Sequence, residues 1–335
     1  MPIHGHAAYA AKETLKRYEY QPGELGPNEV EVRVDFCGIC HSDIHLIDDD
    51  WGMSRFPFIP GHEIIGSVAA VGTEVSRFTL GQRVGIGWLA GSCMECEWCI
   101  RGEDNLCLKP SPTCVGRNGG YAELVRADSR FAFTIPEELD SAAAAPLLCG
   151  GVTVYSPLRN LGVKPWHTVG VIGIGGLGHL AIKFARAFGC EVIAFSTSLE
   201  KEKESKTLGA HRFVLGSDPD RLSGTANSCD FILSTAHTDL DWNGYVRALR
   251  TKGTLCVVGA PPEALLNVPA VALLLQEKRL CGSAIGSRAT IQEMLTFAAR
   301  HRIGATVEVM PMPEVNAALD HVRSGKARYR VVLKT

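Results

Sequence analysis

The fold is decided by the stretch VGVIGIGGLGHLAIKFARAFG, residues 169–189. An apolar run ends at Ile172, a glycine-rich turn follows, and apolar residues then recur at helical spacing. With a second apolar run at 191–195, this order predicts a dinucleotide-binding βαβ unit. The helix N-terminus favours the charge of a pyrophosphate, and the backbone could approach it closely at Gly173, Gly175, Gly176, Leu177 and Gly178.

The end of the second strand indicates which dinucleotide is bound. An NAD site usually carries Asp or Glu there, because a carboxylate accepts hydrogen bonds from the ribose 2′-hydroxyl. This chain has Ser196, Thr197 and Ser198, with Lys201 nearby. Hydroxyls and an ammonium suit a 2′-phosphate, so the sequence favours NADP(H). The alternative is that the hydroxyls cap the next helix and Lys201 is a solvated charge.

Further strand-like runs alternate with helical stretches after this unit, at 212–215, 230–233, 254–258 and 279–284. With the first two strands they would form six parallel strands. The sequence therefore predicts an α/β, doubly wound Rossmann domain over residues 152–286.

The preceding part of the chain has a different pattern. Short apolar runs separated by glycine and proline occur at 65–71, 83–86, 121–125 and 131–135. They predict a mainly β, barrel-like domain over residues 1–151. The last segment, 287–335, contains two amphipathic helices and a strand-like run at 329–333. These elements exceed what a nucleotide fold needs, so we expect this segment to return to the first domain.

Metal-binding residue types concentrate at 38–45, which directly follows an alternating run and is expected to be a loop at a strand's end. A catalytic zinc needs three protein ligands and one open position. Cys40 and His62 can supply two, and Cys149, followed by two glycines, is the candidate for the third. By spacing alone, the three residues could equally be buried small side chains and a satisfied histidine.

A second group of cysteines reads C-x2-C-x2-C-x7-C and comprises Cys93, Cys96, Cys99 and Cys107. Four thiolates close a tetrahedral zinc site without an open position, and such a site stabilises a loop rather than performing chemistry. The alternatives are an iron–sulfur cluster and redox-active pairs.

Composition excludes several classes of function. The chain has 335 residues, 34 Lys plus Arg against 36 Asp plus Glu, and a net charge of −2. This balance argues against nucleic acid and anionic membranes as partners. The N-terminus lacks the pattern of a signal peptide, and no apolar stretch suits a membrane span. With 12 cysteines, a reducing cytoplasm with metal ligation is the expected setting.

The order and spacing of these motifs resemble the zinc-dependent medium-chain alcohol dehydrogenases over essentially the whole chain. Cys-His-Ser-Asp-x-His from Cys40, Gly-x-Gly-Gly-Leu-Gly-His from Gly173, and the Ser-Thr-Ser run are most similar to the cinnamyl alcohol dehydrogenase group of NADP-dependent aldehyde reductases. The resemblance implies a GroES-like catalytic domain, two Zn²⁺ per subunit, NADP(H), and a homodimer or homotetramer.

The resemblance also implies roles for single residues. Cys40, His62 and Cys149 match the ligands of the catalytic zinc, and the four-cysteine group matches a structural zinc site. Glu63 matches a carboxylate behind the metal, and Asp43 matches the acceptor that orients His62. Ser42 matches a hydroxyl that passes the substrate proton onward, and His45 matches its exit to solvent. His45 could instead be only a surface residue.

The implied reaction is hydride transfer between NADPH and an aldehyde/primary alcohol pair, with zinc polarising the carbonyl. The segment from Cys107 to Gly120 is shorter than in the cinnamyl group, so reduction of a broad range of aldehydes is expected. Trp51, Phe56 and Trp88 could line an aromatic pocket or belong to the core. Two other functions compete: an NAD-dependent secondary alcohol or polyol dehydrogenase, and a non-catalytic nucleotide-binding or quinone-sensing protein.

Overall fold

The computed structural model describes residues 2–238, 240–259 and 266–335. The chain divides into two compact units. Unit one comprises residues 1–152 and 285–335, and unit two comprises residues 153–284. Each unit has its own main sheet, and unit one also contains two two-stranded sheets, Ile3–Ala7 with Lys16–Tyr20 and Leu89–Gly91 with Ser111–Pro112.

The strands are β1 Ile3–Ala7, β2 Lys16–Tyr20, β3 Glu29–Gly38, β4 Glu63–Val71, β5 Arg83–Ile86, β6 Leu89–Gly91, β7 Ser111–Pro112, β8 Leu124–Asp128, β9 Ala132–Thr134, β10 Thr168–Ile172, β11 Glu191–Ser196, β12 Arg212–Leu215, β13 Cys229–Ser234, β14 Leu249–Val257, β15 Arg279–Gly282, β16 Val307–Pro311 and β17 Arg330–Lys334. The helices are α1 His41–Asp48, α2 Glu97–Ile100, α3 Ser141–Ala144, α4 Gly150–Asn160, α5 Gly178–Ala187, α6 Lys201–Leu208, α7 Pro219–Ser223, α8 Trp242–Ala248, α9 Ala270–Leu274, α10 Arg288–His301 and α11 Val315–Arg323.

Unit one is built on a seven-stranded sheet in the order β16-β17-β3-β4-β5-β9, with β8 also paired to β3. All pairs are antiparallel except β16 with β17. Strand β3 buries Val30, Val32 and Val34, while the side chains between them point away from the core. This alternation is typical of an antiparallel sheet with one face on the core. The predicted mainly β architecture is confirmed.

Two local predictions for unit one were wrong. The expected loop at 38–45 is largely helix α1, because Asp43 accepts the backbone N–H of Cys40 at 2.9 Å and stabilises the first turn. The strand expected at 121–125 begins only at Leu124. Helix α3 begins at Ser141, and its N-cap is Asp140, whose carboxylate accepts the backbone N–H of Ala143.

Unit two is a six-stranded parallel sheet in the order β12-β11-β10-β13-β14-β15. In chain order along the unit this is 3-2-1-4-5-6, the doubly wound order of dinucleotide-binding folds. Strand β10 lies between β11 and β13. The strand order of the sheet therefore reverses at β10, beside the C-terminal end of this strand. The predicted Rossmann architecture is confirmed.

The C-terminal elements follow the predicted pattern. Helix α10 buries Ile291, Met294, Leu295 and Ala298, and α11 buries Val315, Ala318, Leu319 and Val322. These are the apolar positions at helical spacing in the sequence. Strand β17 then pairs antiparallel with β3 and places Arg330 at its first position.

Within the described residues, no single helix has the length and apolar composition needed to cross a bilayer. One bent pair, 141–148 with 150–160, passes that test only when its two parts are taken together across a 56° bend.

Candidate active site

Three turns of unit one bring Cys40, His62 and Cys149 together. Cys40 is the N-cap of α1 directly after β3, His62 immediately precedes β4, and Cys149 follows the 3-10 turn Ala145–Leu148. The donor atoms of these residues and of Glu63 lie within 4.8 Å of one another, and all four residues are buried. The three side chains predicted as zinc ligands therefore meet in space although 109 positions separate the outer two in the chain (149 − 40).

Asp43 fixes the ring of His62. The Asp43 Oδ1 atom lies 2.9 Å from His62 Nδ1, and both side chains are fully buried. Because the carboxylate accepts, one ring proton lies on Nδ1, and Nε2 is the nitrogen that would bind a metal after releasing any proton of its own. His62 Nε2 is buried and has no hydrogen-bond partner among the described residues. A buried imidazole nitrogen beside two thiols fits a zinc ion.

The electrostatics of this cluster also favour a cation. Burial lowers the pKa of His62, but Asp43 and Cys149 outweigh burial and hold that pKa well above its usual value. A hydrogen bond donated by the Cys149 thiol lowers the pKa of Cys40 well below its usual value. The same contact, together with burial, raises the pKa of Cys149. Without a metal, the cluster therefore favours a Cys40 thiolate beside a protonated His62, and a divalent cation would take the place of the His62 Nε2 proton and the Cys149 thiol proton.

Arg330 is part of this site and was missed in the sequence. Its Nη2 donates to both carboxylate oxygens of Glu63, at 2.6 and 2.7 Å, and to the backbone oxygen of Ile39 at 3.0 Å. Burial raises the pKa of Glu63 to about 7, although Arg330 opposes this shift. No local motif identifies Arg330, because it meets Glu63 only through the pairing of β17 with β3.

Cys114 and Trp88 complete the surroundings of His62. The donor atom of Cys114 lies within 4.8 Å of those of His62 and Asp43. The Trp88 ring packs edge-to-face on the imidazole, with centroids 4.9 Å apart. Cys114 lies in the shortened segment from Cys107 to Gly120, and nothing in the sequence indicates its contact with His62. Trp51 and Phe56, the other aromatic residues considered, pack on His45 and Phe58 respectively.

Helix α1 also carries the two predicted proton-transfer residues. Ser42 lies in its first turn and is half-buried. His45 lies one turn further on, and its Nδ1 is 2.7 Å from Asp50 Oδ2. The His45 side chain is 27% exposed and that of Asp50 is 35% exposed, so the pair reaches solvent. Asp50 was not identified from the sequence.

The four-cysteine group forms a second cluster in unit one. Its sulfur atoms are separated by 3.5 Å (Cys93–Cys107), 3.9 Å (Cys93–Cys99) and 4.0 Å (Cys96–Cys107). Thiolates at 2.3 Å from a tetrahedral zinc are about 3.8 Å apart. Backbone N–H groups of Cys99 and Leu108 lower the pKa of Cys96 to about 6, which favours the thiolate. This geometry suits a closed, four-thiolate metal site.

The predicted nucleotide residues lie in unit two, at the C-terminal ends of β10 and β11. Gly173 has φ +85°, a conformation that glycine adopts without strain. A Cβ at Gly178 would lie 1.8 Å from the Gly173 oxygen, so helix α5 packs against the turn only with glycine there. A Cβ at Gly175 would meet nothing within 4 Å, which leaves the turn open to a phosphate group. Gly176 and Leu177 complete the turn before α5.

The hydroxyl residues follow β11. Ser196 ends this strand, and its Oγ accepts the backbone N–H of Ser198 at 3.1 Å. Thr197 is exposed between them. Lys201 begins α6, where its ammonium lies 3.0 Å from Glu204 Oε2 and its side chain is 14% exposed. The four residues predicted to meet a 2′-phosphate are thus brought to one corner of unit two, and Lys201 is an ion-pair partner rather than a solvated charge.

Known protein families match segments in both units of the chain. The family model for the alcohol dehydrogenase GroES-like domain matches residues 26–137, and the zinc-binding dehydrogenase model matches residues 176–300. An aldehyde reductase of Synechocystis sp. is 45% identical over 332 residues, which are 99% of this chain and 98% of that protein.

Two solved structures are also similar. A cinnamyl alcohol dehydrogenase of Sorghum bicolor superposes with a TM-score of 0.96 at 37% identity, and the match covers 100% of this chain and 98% of the Sorghum chain. A cinnamyl alcohol dehydrogenase of Helicobacter pylori, solved with NADP(H), has a TM-score of 0.92 at 32% identity and the same coverage. The chain therefore belongs to the zinc-dependent medium-chain alcohol dehydrogenases, an oxidoreductase family, and within it to the cinnamyl alcohol dehydrogenase-like group.

Proposed function

We propose that this protein is an NADP-dependent aldehyde reductase with two zinc ions per subunit. The observation that carries the proposal is the buried cluster of Cys40, His62 and Cys149, in which Asp43 leaves His62 Nε2 free to bind a metal. Three ligands with one open position are the pattern of a catalytic zinc. The second, structural zinc would be held by Cys93, Cys96, Cys99 and Cys107.

A zinc ion held by Cys40, His62 and Cys149 would supply Lewis acidity toward a carbonyl oxygen. Asp43 keeps His62 in the tautomer that binds metal through Nε2. Glu63 lies among the same donor atoms, but Arg330 holds both of its carboxylate oxygens. Because this ion pair engages Glu63, Cys40, His62 and Cys149 are the three residues that would hold the zinc ion.

The proton path is assigned to Ser42 and His45. Both lie on α1, one turn apart, and the helix starts at the ligand Cys40. Ser42 takes or delivers the substrate proton, and His45 exchanges it with solvent while Asp50 orients its ring. We expect Ser42→Ala to lower turnover about 100-fold while both zinc ions are retained. Ser141→Ala, at the first position of α3, is the matched control, and full activity in Ser42→Ala would contradict the assignment.

The cofactor is assigned as NADP(H). The position that carries a carboxylate in NAD sites is Ser196, and Thr197, Ser198 and Lys201 add hydroxyls and an ammonium at the same corner of unit two. The similar Helicobacter enzyme was solved with NADP(H). Residues 152–286 are accordingly assigned to NADP binding, and residues 1–151 with 287–335 to catalysis.

The substrate is assigned as a small aldehyde and its primary alcohol, of aromatic or aliphatic kind. Trp88 covers one face of the site at His62 and offers an apolar wall to such substrates. The aldehyde reductase of Synechocystis is among the similar proteins. Twelve cysteines, all free of disulfide bonds, support a reducing compartment such as the cytoplasm.

A homodimer is the proposed assembly, with a homotetramer as a further possibility. Strand β15 is the outermost strand on one side of the sheet of unit two. Helix α9, which precedes it, has no buried residue, and Val271, Leu274 and Leu275 are 59%, 74% and 81% exposed. An open strand edge beside exposed apolar side chains suits a symmetric contact with a second copy. Light scattering of the purified protein tests this, since a monomer has a mass of 36.1 kDa.

The deciding experiment measures initial rates of NADPH and NADH oxidation with cinnamaldehyde, together with the metal content of the same sample. A clear preference for NADPH with two zinc ions per chain is expected. A preference for NADH with polyols would favour the polyol dehydrogenase alternative and overturn the assignment of Ser196. Absence of zinc and of turnover with a wide aldehyde panel would favour the non-catalytic alternative.

A further inference from the structure

The carboxylate of Asp43 has four hydrogen-bond donors around it. Oδ1 accepts from Gly61 N at 3.0 Å and lies 2.9 Å from His62 Nδ1. Oδ2 accepts from Cys40 N at 2.9 Å and from the Tyr121 hydroxyl at 3.3 Å. An ionised carboxylate offers about four lone-pair sites. All of them are used, and among the residues that the structure describes the Tyr121 hydroxyl is the only side-chain donor besides His62.

Tyr121 is held against the segment that precedes His62. Its backbone N–H donates to Pro60 O at 2.9 Å, and Gly120 N donates to Gly61 O at 2.8 Å. The Tyr121 ring is so close to Gly61 that a Cβ there would lie 2.7 Å from ring carbon Cδ1. The side chain is fully buried. Tyr121 therefore contacts both the backbone leading to His62 and the carboxylate that orients His62.

We propose that Tyr121 is a positioning residue for the catalytic metal, acting through Asp43 on the orientation of His62. The inference rests on the zinc assignment of the proposed function. Burial and the nearby Asp43 raise the pKa of Tyr121, which keeps the hydroxyl protonated and able to donate. Without this donor, Asp43 Oδ2 would keep one backbone partner in a site closed to water, and the carboxylate could rotate away from His62 Nδ1.

The test uses the zinc-loaded, full-length enzyme and the variant Tyr121→Phe, which removes the hydroxyl and keeps the buried ring. Tyr245→Phe is the matched control, because Tyr245 is a buried tyrosine of unit two. Zinc release to a chromogenic chelator is followed, and release from the catalytic and four-cysteine sites gives separate phases. Loss of a direct partner of a metal-binding histidine costs about 10- to 100-fold in metal affinity.

Tyr121 reaches His62 only through Asp43, and its contact is the longest of the four that the Asp43 carboxylate makes. For Tyr121→Phe we therefore expect the catalytic-site phase to accelerate about 3- to 10-fold, with the four-cysteine phase unchanged. With cobalt in the catalytic site, the visible ligand-field bands should shift in Tyr121→Phe and not in Tyr245→Phe. In an Asp43→Asn background, Tyr121→Phe should add nothing, because the acceptor it acts through is altered.

Some outcomes would overturn the inference. Release from Tyr121→Phe within twofold of wild type, equal acceleration of both phases, or an undiminished effect in Asp43→Asn would each do so. A wild-type enzyme without two zinc phases would instead overturn the proposed function itself. The two failures are thus distinguishable in one data set.

Discussion

Replacing Arg330 with methionine tests whether the buried Glu63–Arg330 pair is a main support of the active site. Methionine keeps much of the length of the side chain and removes its charge. Glu63 is fully buried and the Arg330 side chain is 6% exposed. The two carboxylate oxygens lie 2.6 and 2.7 Å from Nη2. In Arg330→Met, the carboxylate would lose the ion pair that holds both of its oxygens.

The size of the effect follows from this geometry. Unit charges about 4 Å apart at an effective dielectric of 20 attract by about 4 kcal/mol. Removing one partner of a buried pair typically costs about 3–5 kcal/mol. Protonation of Glu63, whose pKa is already raised to about 7, limits this cost. A carboxyl group whose pKa is raised in the folded state makes the protein less stable as the pH rises. The destabilisation of Arg330→Met should therefore be larger at pH 9 than at pH 6.

The assay is urea-induced unfolding of the zinc-loaded protein, followed by tryptophan fluorescence and by zinc release. The matched control is Arg323→Met, because Arg323 also makes a two-point pair, with Asp48 at 2.7 and 2.8 Å, but is 38% exposed. Exposed pairs contribute about 1 kcal/mol or less. We expect Arg330→Met to be the more destabilised variant by about 2 kcal/mol or more.

Equal destabilisation of the two variants would refute this reasoning, as would a cost for Arg330→Met that does not grow with pH. The double variant Glu63→Gln with Arg330→Met provides a further check. It removes the unpaired charge, so it should recover part of the lost stability.

Three further predictions concern other parts of the molecule. Elemental analysis should find about one zinc ion per chain in Cys149→Ser and two in Cys114→Ser. The reason is that Cys149 completes a three-ligand site with Cys40 and His62, whereas Cys114 is not one of the three ligands. Gly178→Ala should lower the stability of the protein by about 3 kcal/mol, since the new Cβ meets a backbone oxygen at 1.8 Å. In Gly175→Ala, a Cβ meets nothing within 4 Å, so thermal unfolding should be unchanged while NADPH binds more weakly. Burial raises the pKa of Asp128, but hydrogen bonds from Arg130 outweigh it and hold the pKa below its usual value. Asp128→Asn should therefore cost about 1 kcal/mol at pH 7, and denaturation at a series of pH values should find this difference shrinking as pH falls through and below the usual range of an aspartate.

The nucleotide unit could be predicted in detail because its signals are local. Each parallel strand is a short apolar run bounded by glycine or polar residues, and the glycine turn is required by contacts within a few positions of it. The prediction for 38–45 was wrong for a related reason. The residues there are mostly polar and were interpreted as a loop, but Asp43 forms the first-turn contact that starts α1, and Ile44, Leu46 and Ile47 anchor its buried face.

By itself, the sequence determined the two architectures, the four-cysteine group and the residue types available for zinc and NADP(H), because spacing and periodicity carry that information. Only the tertiary structure decided which side chains meet. Arg330 reaches Glu63 across 267 positions and Tyr121 reaches Asp43 across 78, through the pairing of β17 with β3 and the backbone contacts of 119–121 with 59–61. Such contacts leave no periodic or spaced signal in the chain, since they arise from strand pairing and burial rather than from neighbouring residues.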